Sequence, residues 1–224
     1  MHYYLTGGGD FEVFEKIERR LAGGLVQNDK ILVLPYACDP SEFEEISERV
    51  EETFPNADIE MFGDPALLQK ENFTSAAAIC IEGGNTFDLV SIVRRHNLAT
   101  FLKGVDSGWI YADSAGAIIL GATVQTAFLG DDADDDEARL QDYRGLDLLD
   151  SWTIHAHYEP EDDDSLQDLV YTMGTPLCAL PEPAAVCFDG KGGLEVLNGP
   201  VHIFNVGGKV TLSEVKTHDL GGLW

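Results

Sequence analysis

The chain has 224 residues, with 40 acidic against 14 basic side chains, a formal net charge of −26. Such a surface repels phosphate backbones and argues against nucleic acid as a partner, and no apolar run is long enough to span a bilayer. The length and a 44% apolar content suit one globular domain over residues 1–224 with a sizeable core.

In chain order, short apolar runs alternate with helical patterns. HYYLT reads as a strand, followed by the glycine turn Gly7–Gly9 and an amphipathic helix. KILVLPYA is a buried strand, DPSEFEEISERVEETF a helix with an acidic first turn, and DIEMF a further strand. AAAICIEGG ends a strand in glycines, and NTFDLVSIVRRH follows with Phe87, Val90 and Val93 on one helical face. GWIYAD then runs into SAGAIILGA. This alternation predicts crossover connections and a three-layer, mostly parallel α/β sheet with helices on both faces. Beyond residue 185, DGKGG, NG and VGGK separate period-2 strands and predict antiparallel hairpins at the sheet's edge. The acidic stretches GDDADDDEARLQD and EPEDDDSLQD read as solvated loops, the second entering a helix N-terminus.

Cys38, Cys80, Cys178 and Cys187 lack paired spacing and read as free thiols, which fits a reducing cytoplasm. The N-terminus MHYYLTGGGD does not have the form of a secretory signal.

Chemistry concentrates at strand ends, where doubly wound sheets bind their ligands. Ser114 in YADSAGAIILG follows a strand and is flanked by Ala112 at −2 and Gly116 at +2, an A-x-S-x-G variant of a nucleophile elbow. The N–H groups of Ala115, at the start of a helix, and of Gly84, in EGGN, are candidate oxyanion donors. Asn85 reads as the cap of the next helix and a candidate substrate contact, as do Gly9 and Asp113. Of six histidines, His155 and His157 in SWTIHAHYEPE lie at a predicted strand end and are candidate bases. On one strand face, His155, His157 and Glu159 also match a zinc-hydrolase ligand pattern, so serine, metal and purely structural readings stay open at this point. The orienting acid is Glu182 in ALPEPAAV, Glu159, Asp131 or Asp132.

Taken together, VLPYA, IEGGNTFDLV, YADSAGAIILGA, IHAHYEP and LPEPAAV resemble, in order and separation, the dipeptidase E and cyanophycinase family of serine peptidases. The resemblance implies a class I glutamine amidotransferase-like fold, Ser114 as nucleophile, His157 as base, Glu182 as acid, and no metal or other cofactor. It implies hydrolysis of a small peptide at a bond to aspartate: N-terminal Asp-X in dipeptidase E, β-Asp-Arg in cyanophycinase. The partner expected is that peptide, on a monomer or homodimer. The chain departs from the family pattern in Ala112 for a glycine, in a charged residue at Asp113, and in His155, where asparagine is frequent.

Overall fold

The computed structural model describes residues 1–9, 11–213 and 217–219, with 11–16 and 217–219 described by backbone alone. Strands β1 (His2–Thr6), β2 (Lys30–Leu34), β3 (Asp58–Met61), β4 (Ala78–Ile81) and β5 (Trp109–Asp113) form the parallel part of the main sheet in the order β3-β2-β4-β5-β1. The intervening helices are α1 (Phe11–Ala22), α2 (Phe43–Thr53), α3 (Lys70–Ser75), α4 (Thr86–Arg95) and α5 (Leu98–Lys103). Strand alternation sorts the side chains between two layers. Ile31 and Val33 pack with Ile17, Leu21, Ile46 and Val50, from α1 and α2. Leu32, Leu34, Ile79 and Ile81 pack with Phe87, Val90 and Val93 of α4, and with Ile118 and Ile119 of α6 (Ala115–Leu120). Both faces of these strands are therefore covered, as their uninterrupted apolar runs require.

Phe87 is fully buried in the larger of these clusters. Replacing it with alanine deletes a ring that nothing nearby can fill, and an expected destabilisation of about 3–5 kcal/mol is measurable by chemical denaturation.

The C-terminal strands depart from the hairpin expectation in one respect. β8 (Ala185–Phe188), β9 (Gly193–Asn198) and β12 (Thr217–Asp219) do extend the main sheet antiparallel beyond β1, and Asp189–Gly192 forms the turn between β8 and β9. Asn198-Gly199, however, does not close a hairpin. It passes the chain to a second sheet, in which β10 (Val201–Asn205) pairs with β11 (Gly208–Leu212) and β7 (Leu177–Ala179), and β7 pairs with β6 (Thr153–His155). Proline follows at 200, and its missing N–H makes the next strand start afresh. Helix α7 (Asp163–Met173) buries Leu166 and Val170 against Leu177, Ala179 and Phe204 of this smaller sheet. No helix among the described residues is long and apolar enough to cross a membrane.

Candidate active site

The carboxyl ends of β1, β4 and β5 meet at one cleft, lined by Gly8, Gly9, Gly83, Gly84, Asp113, Ser114 and His157. Ser114 joins β5 to α6 with φ 45° and ψ −110°, a conformation that L-residues rarely adopt and that projects the side chain from the turn. Small neighbours permit the turn. A Cβ on Gly116 would fall 2.4 Å from the Ile81 carbonyl oxygen, so α6 approaches β4 only because that position is glycine. At −2, Ala112 is fully buried between Leu5 and Ile81 on the adjoining strands, which leaves room for a methyl. The change from glycine to alanine is thereby accommodated.

The Ser114 Oγ lies 2.7 Å from His157 Nε2, and His157 Nδ1 lies 2.6 Å from Glu182 Oε1. An ionised carboxylate only accepts hydrogen bonds, so Nδ1 carries the hydrogen and Nε2 accepts from the serine hydroxyl. His157 itself has φ 52°, and its N–H donates to the Gly7 carbonyl at 2.9 Å. The imidazole lies against Gly8, where a Cβ would approach Cε1 to 2.1 Å. Gly9 borders Glu182 in the same way, at 3.5 Å.

Of the alternative acids, Asp132 has a carboxylate oxygen within 4.8 Å of both His157 and Glu182, while Asp131 is only an exposed loop residue. Glu159 is exposed and caps the turn 160–162. The H-x-H-x-E face predicted for a metal is not formed. β6 ends at His155, which is buried with Nε2 3.2 Å from Asp162 Oδ2, and the chain then turns so that His157 serves Ser114 instead. Burial holds the His155 imidazole below its usual pKa, opposed by the neighbouring Asp162.

Asn85 caps α4 as expected, accepting from the N–H groups of Phe87 and Asp88. Its amide donates to the Asp135 carbonyl, so both ends of this side chain are spent on structure rather than left for a substrate. Asp134 accepts from Thr86 N–H, which places the first acidic stretch against the α4 N-terminus. The stretch is largely exposed, as its reading as a solvated loop expects, with Asp134 turned inward to this helix end. Composition alone shows acidity but not which helix end it caps.

Gly84 has φ 126°, and a Cβ there would lie 2.0 Å from the Ala37 carbonyl oxygen. Gly83 is the nearer neighbour of the serine, its virtual Cβ 3.3 Å from Ser114 Cβ. Ala115, as the first residue of α6, has an N–H with no acceptor inside the helix.

The rest of the cleft is acidic: Glu42, Glu45 and Glu82 line it with Asp113, and Arg49 is the one cation among the lining residues. Arg49 lies 2.6 Å from Glu82. Burial raises the pKa of both Glu82 and Asp113, with Arg49 opposing in each case. Nothing in the sequence pattern pointed to Glu42, Glu45 or Arg49. They belong to α2 and the turn before it, and only the fold carries them to the serine.

A hydroxyl, an imidazole and a carboxylate in one hydrogen-bonded line, on a strained turn at a sheet edge, define a serine hydrolase site by geometry. The family model that matches residues 4–196 is peptidase family S51. The chain belongs to that family and is a serine-type peptidase. Among solved structures, it is similar to a peptidase from an acI-B1 actinobacterium, with TM-score 0.73 and 17% identity over 97% of this chain and 96% of that one. It is also similar to a putative peptidase E protein from Listeria monocytogenes EGD-e, with TM-score 0.61 and 19% identity over 95% and 98% of the two chains. A search of curated proteins finds no match.

Proposed function

We propose that the chain hydrolyses short peptides through an acyl-enzyme on Ser114, with His157 as general base and acid and Glu182 as the group that orients it. The observation that carries this reading is the unbroken line from Ser114 Oγ through the imidazole to Glu182, at 2.7 and 2.6 Å. The serine oxygen attacks the peptide carbonyl carbon while its proton passes to Nε2. The N–H groups of Gly84 and Ala115 hold the resulting oxyanion, each donor contributing about 3 kcal/mol in comparable sites. Collapse breaks the C–N bond, and Nε2–H protonates the leaving amine. Water then attacks the ester with His157 again as base, which regenerates the free serine.

Family membership supports a dipeptidase that releases N-terminal aspartate, and on this reading the α-ammonium group of Asp-X meets the cleft carboxylates while Arg49 faces the substrate's own. One observation favours a second reading. With Glu42, Glu45, Glu82 and Asp113 against a single arginine already bonded to Glu82, the cleft is better matched to a cationic substrate, as in β-Asp-Arg.

Mass spectrometry after treatment with a fluorophosphonate should find the adduct on Ser114, and a panel of Asp-X, β-Asp-Arg and Lys-X dipeptides should separate the substrate classes. An adduct elsewhere that survives Ser114→Ala overturns the mechanism. Turnover of Asp-X alone overturns the cationic reading.

A further inference from the structure

Asp113 stands immediately before Ser114, yet it belongs to no part of the acylation machinery. Its carboxylate is wedged between the two glycine turns of the cleft. On one side, Thr6 Oγ1 donates to Asp113 Oδ1 at 2.5 Å, across the β1–β5 register pair Thr6–Asp113. The backbone N–H of Gly8 lies on the same side and favours the ionised carboxylate. On the other side lies Gly83, where a Cβ would come 3.0 Å from Asp113 Oδ2. Ser114 N–H closes the arrangement by donating to the Thr6 carbonyl at 3.2 Å.

The loop that Asp113 grips is the bed of the imidazole. Gly8 touches the His157 ring, and the Gly7 carbonyl accepts from the His157 N–H. Glu182 and Ser114 fix the ring through its two nitrogens, whereas the Gly8 contact fixes it through Cε1 and its face. The loop turns through positive φ at Gly8 and Gly9, and its Gly7 N–H donates to the Ala184 carbonyl at 3.0 Å, so the Thr6–Asp113 bond adds a side-chain tie at the loop's base.

We propose that Asp113 is a positioning residue for His157: by holding Thr6 at the base of the 7–9 loop, its carboxylate keeps that loop against the imidazole. This rests on the reading that Ser114 and His157 carry the chemistry.

The charged and titratable groups around the pair come from several elements. Asp113 is surrounded by Thr6 and Tyr111 in the sheet, Glu82 at the end of β4, Arg49 on α2, and Cys38 in the turn after β2. His157 faces Ser114, Glu182, Asp132, His155 and Asp113. Among these, Asp113 is the carboxylate bonded to Thr6 at the base of the loop that touches the ring, while Glu182 acts directly on Nδ1.

The test is the rate of Ser114 labelling by a small alkyl fluorophosphonate, which needs His157 in line with Ser114 and no knowledge of the substrate. Asp113→Asn keeps the shape but removes the charge and sets an amide N–H₂ where an acceptor is needed. Its labelling rate should fall about 10- to 100-fold. Thr6→Val removes one donor and should slow labelling about 5-fold, whereas Thr6→Ser keeps the hydroxyl and should retain the wild-type rate. A D113N rate equal to wild type overturns the proposal. If D113N does not fold, the Thr6 pair decides, and equal rates for T6V and T6S overturn it. Wild-type protein that is never labelled at Ser114 defeats the underlying mechanism instead, so the two failures are distinguishable.

Discussion

Ser114→Ala is expected to lower peptide hydrolysis by about 10⁴- to 10⁶-fold while leaving the fold intact. The methyl occupies the space of the hydroxymethyl group at a position that is half-buried, and the only side-chain hydrogen bond lost is the one to His157. The strained backbone at φ 45° is retained by both residues, so thermal unfolding should move little. His157→Ala should match this loss, because a serine without its base is a poor nucleophile and the two act as one unit. Glu182→Gln should cost less. The Glu182 side chain is 50% exposed, so part of its electrostatic contribution is screened by water, and Asp132 lies close enough to keep negative charge near the ring. Steady-state hydrolysis of the best dipeptide from the panel, with circular dichroism as the fold control, checks the ranking.

Gly8→Ala is expected to reduce kcat by about 100-fold, although Gly8 itself takes no part in proton transfer. The methyl would stand 2.1 Å from His157 Cε1, inside van der Waals contact, and its three nearest atoms all belong to that ring, so the ring is the part that must shift. Displacing the ring breaks its alignment with both Ser114 and Glu182. The residue also sits at φ 90°, so the substitution should cost about 1–3 kcal/mol of stability. Gly23→Ala is the matching control. A Cβ there meets its nearest neighbour, the Arg19 carbonyl oxygen, at 3.4 Å, and its backbone needs no positive φ, so activity should be unchanged. Comparison of kcat with KM separates a displaced base from a blocked cleft: a change confined to KM would count against the positioning argument.

Strands β1, β2, β4 and β5 were legible as apolar runs and helices α1, α2 and α4 by their apolar periods, whereas the six-residue helices α3 and α5 are too short to show a period and were not read. The three candidate turns were legible because glycine and small residues at strand ends are needed wherever a backbone must approach closely, as at Gly84 and Gly116. Ser114, the pair His155 and His157, and a short set of acids could be picked out by residue type and position, and the family resemblance singled out His157 and Glu182. The choice between His157 and His155 could not be read from spacing, since residues two apart share a face only while the strand continues. β6 stops at His155, and the positive φ at His157 sends the second histidine to the serine.

Sequence by itself thus determined the layered α/β architecture, the serine turn and the short roster of partners, because periodicity and turn chemistry are local properties of the chain. Tertiary structure decided which partners meet. It separated His155 from His157, moved β10 and β11 to a second sheet, set the first acidic loop against α4, and brought Glu42, Glu45 and Arg49 to the cleft. Each of these depends on contacts between residues far apart in the chain, where side-chain direction and strand order, rather than local pattern, set the distance. Asp113 shows the division most sharply: its charge beside the serine is visible in the sequence, but its grip on Thr6 and the 7–9 loop exists only once β1 lies beside β5.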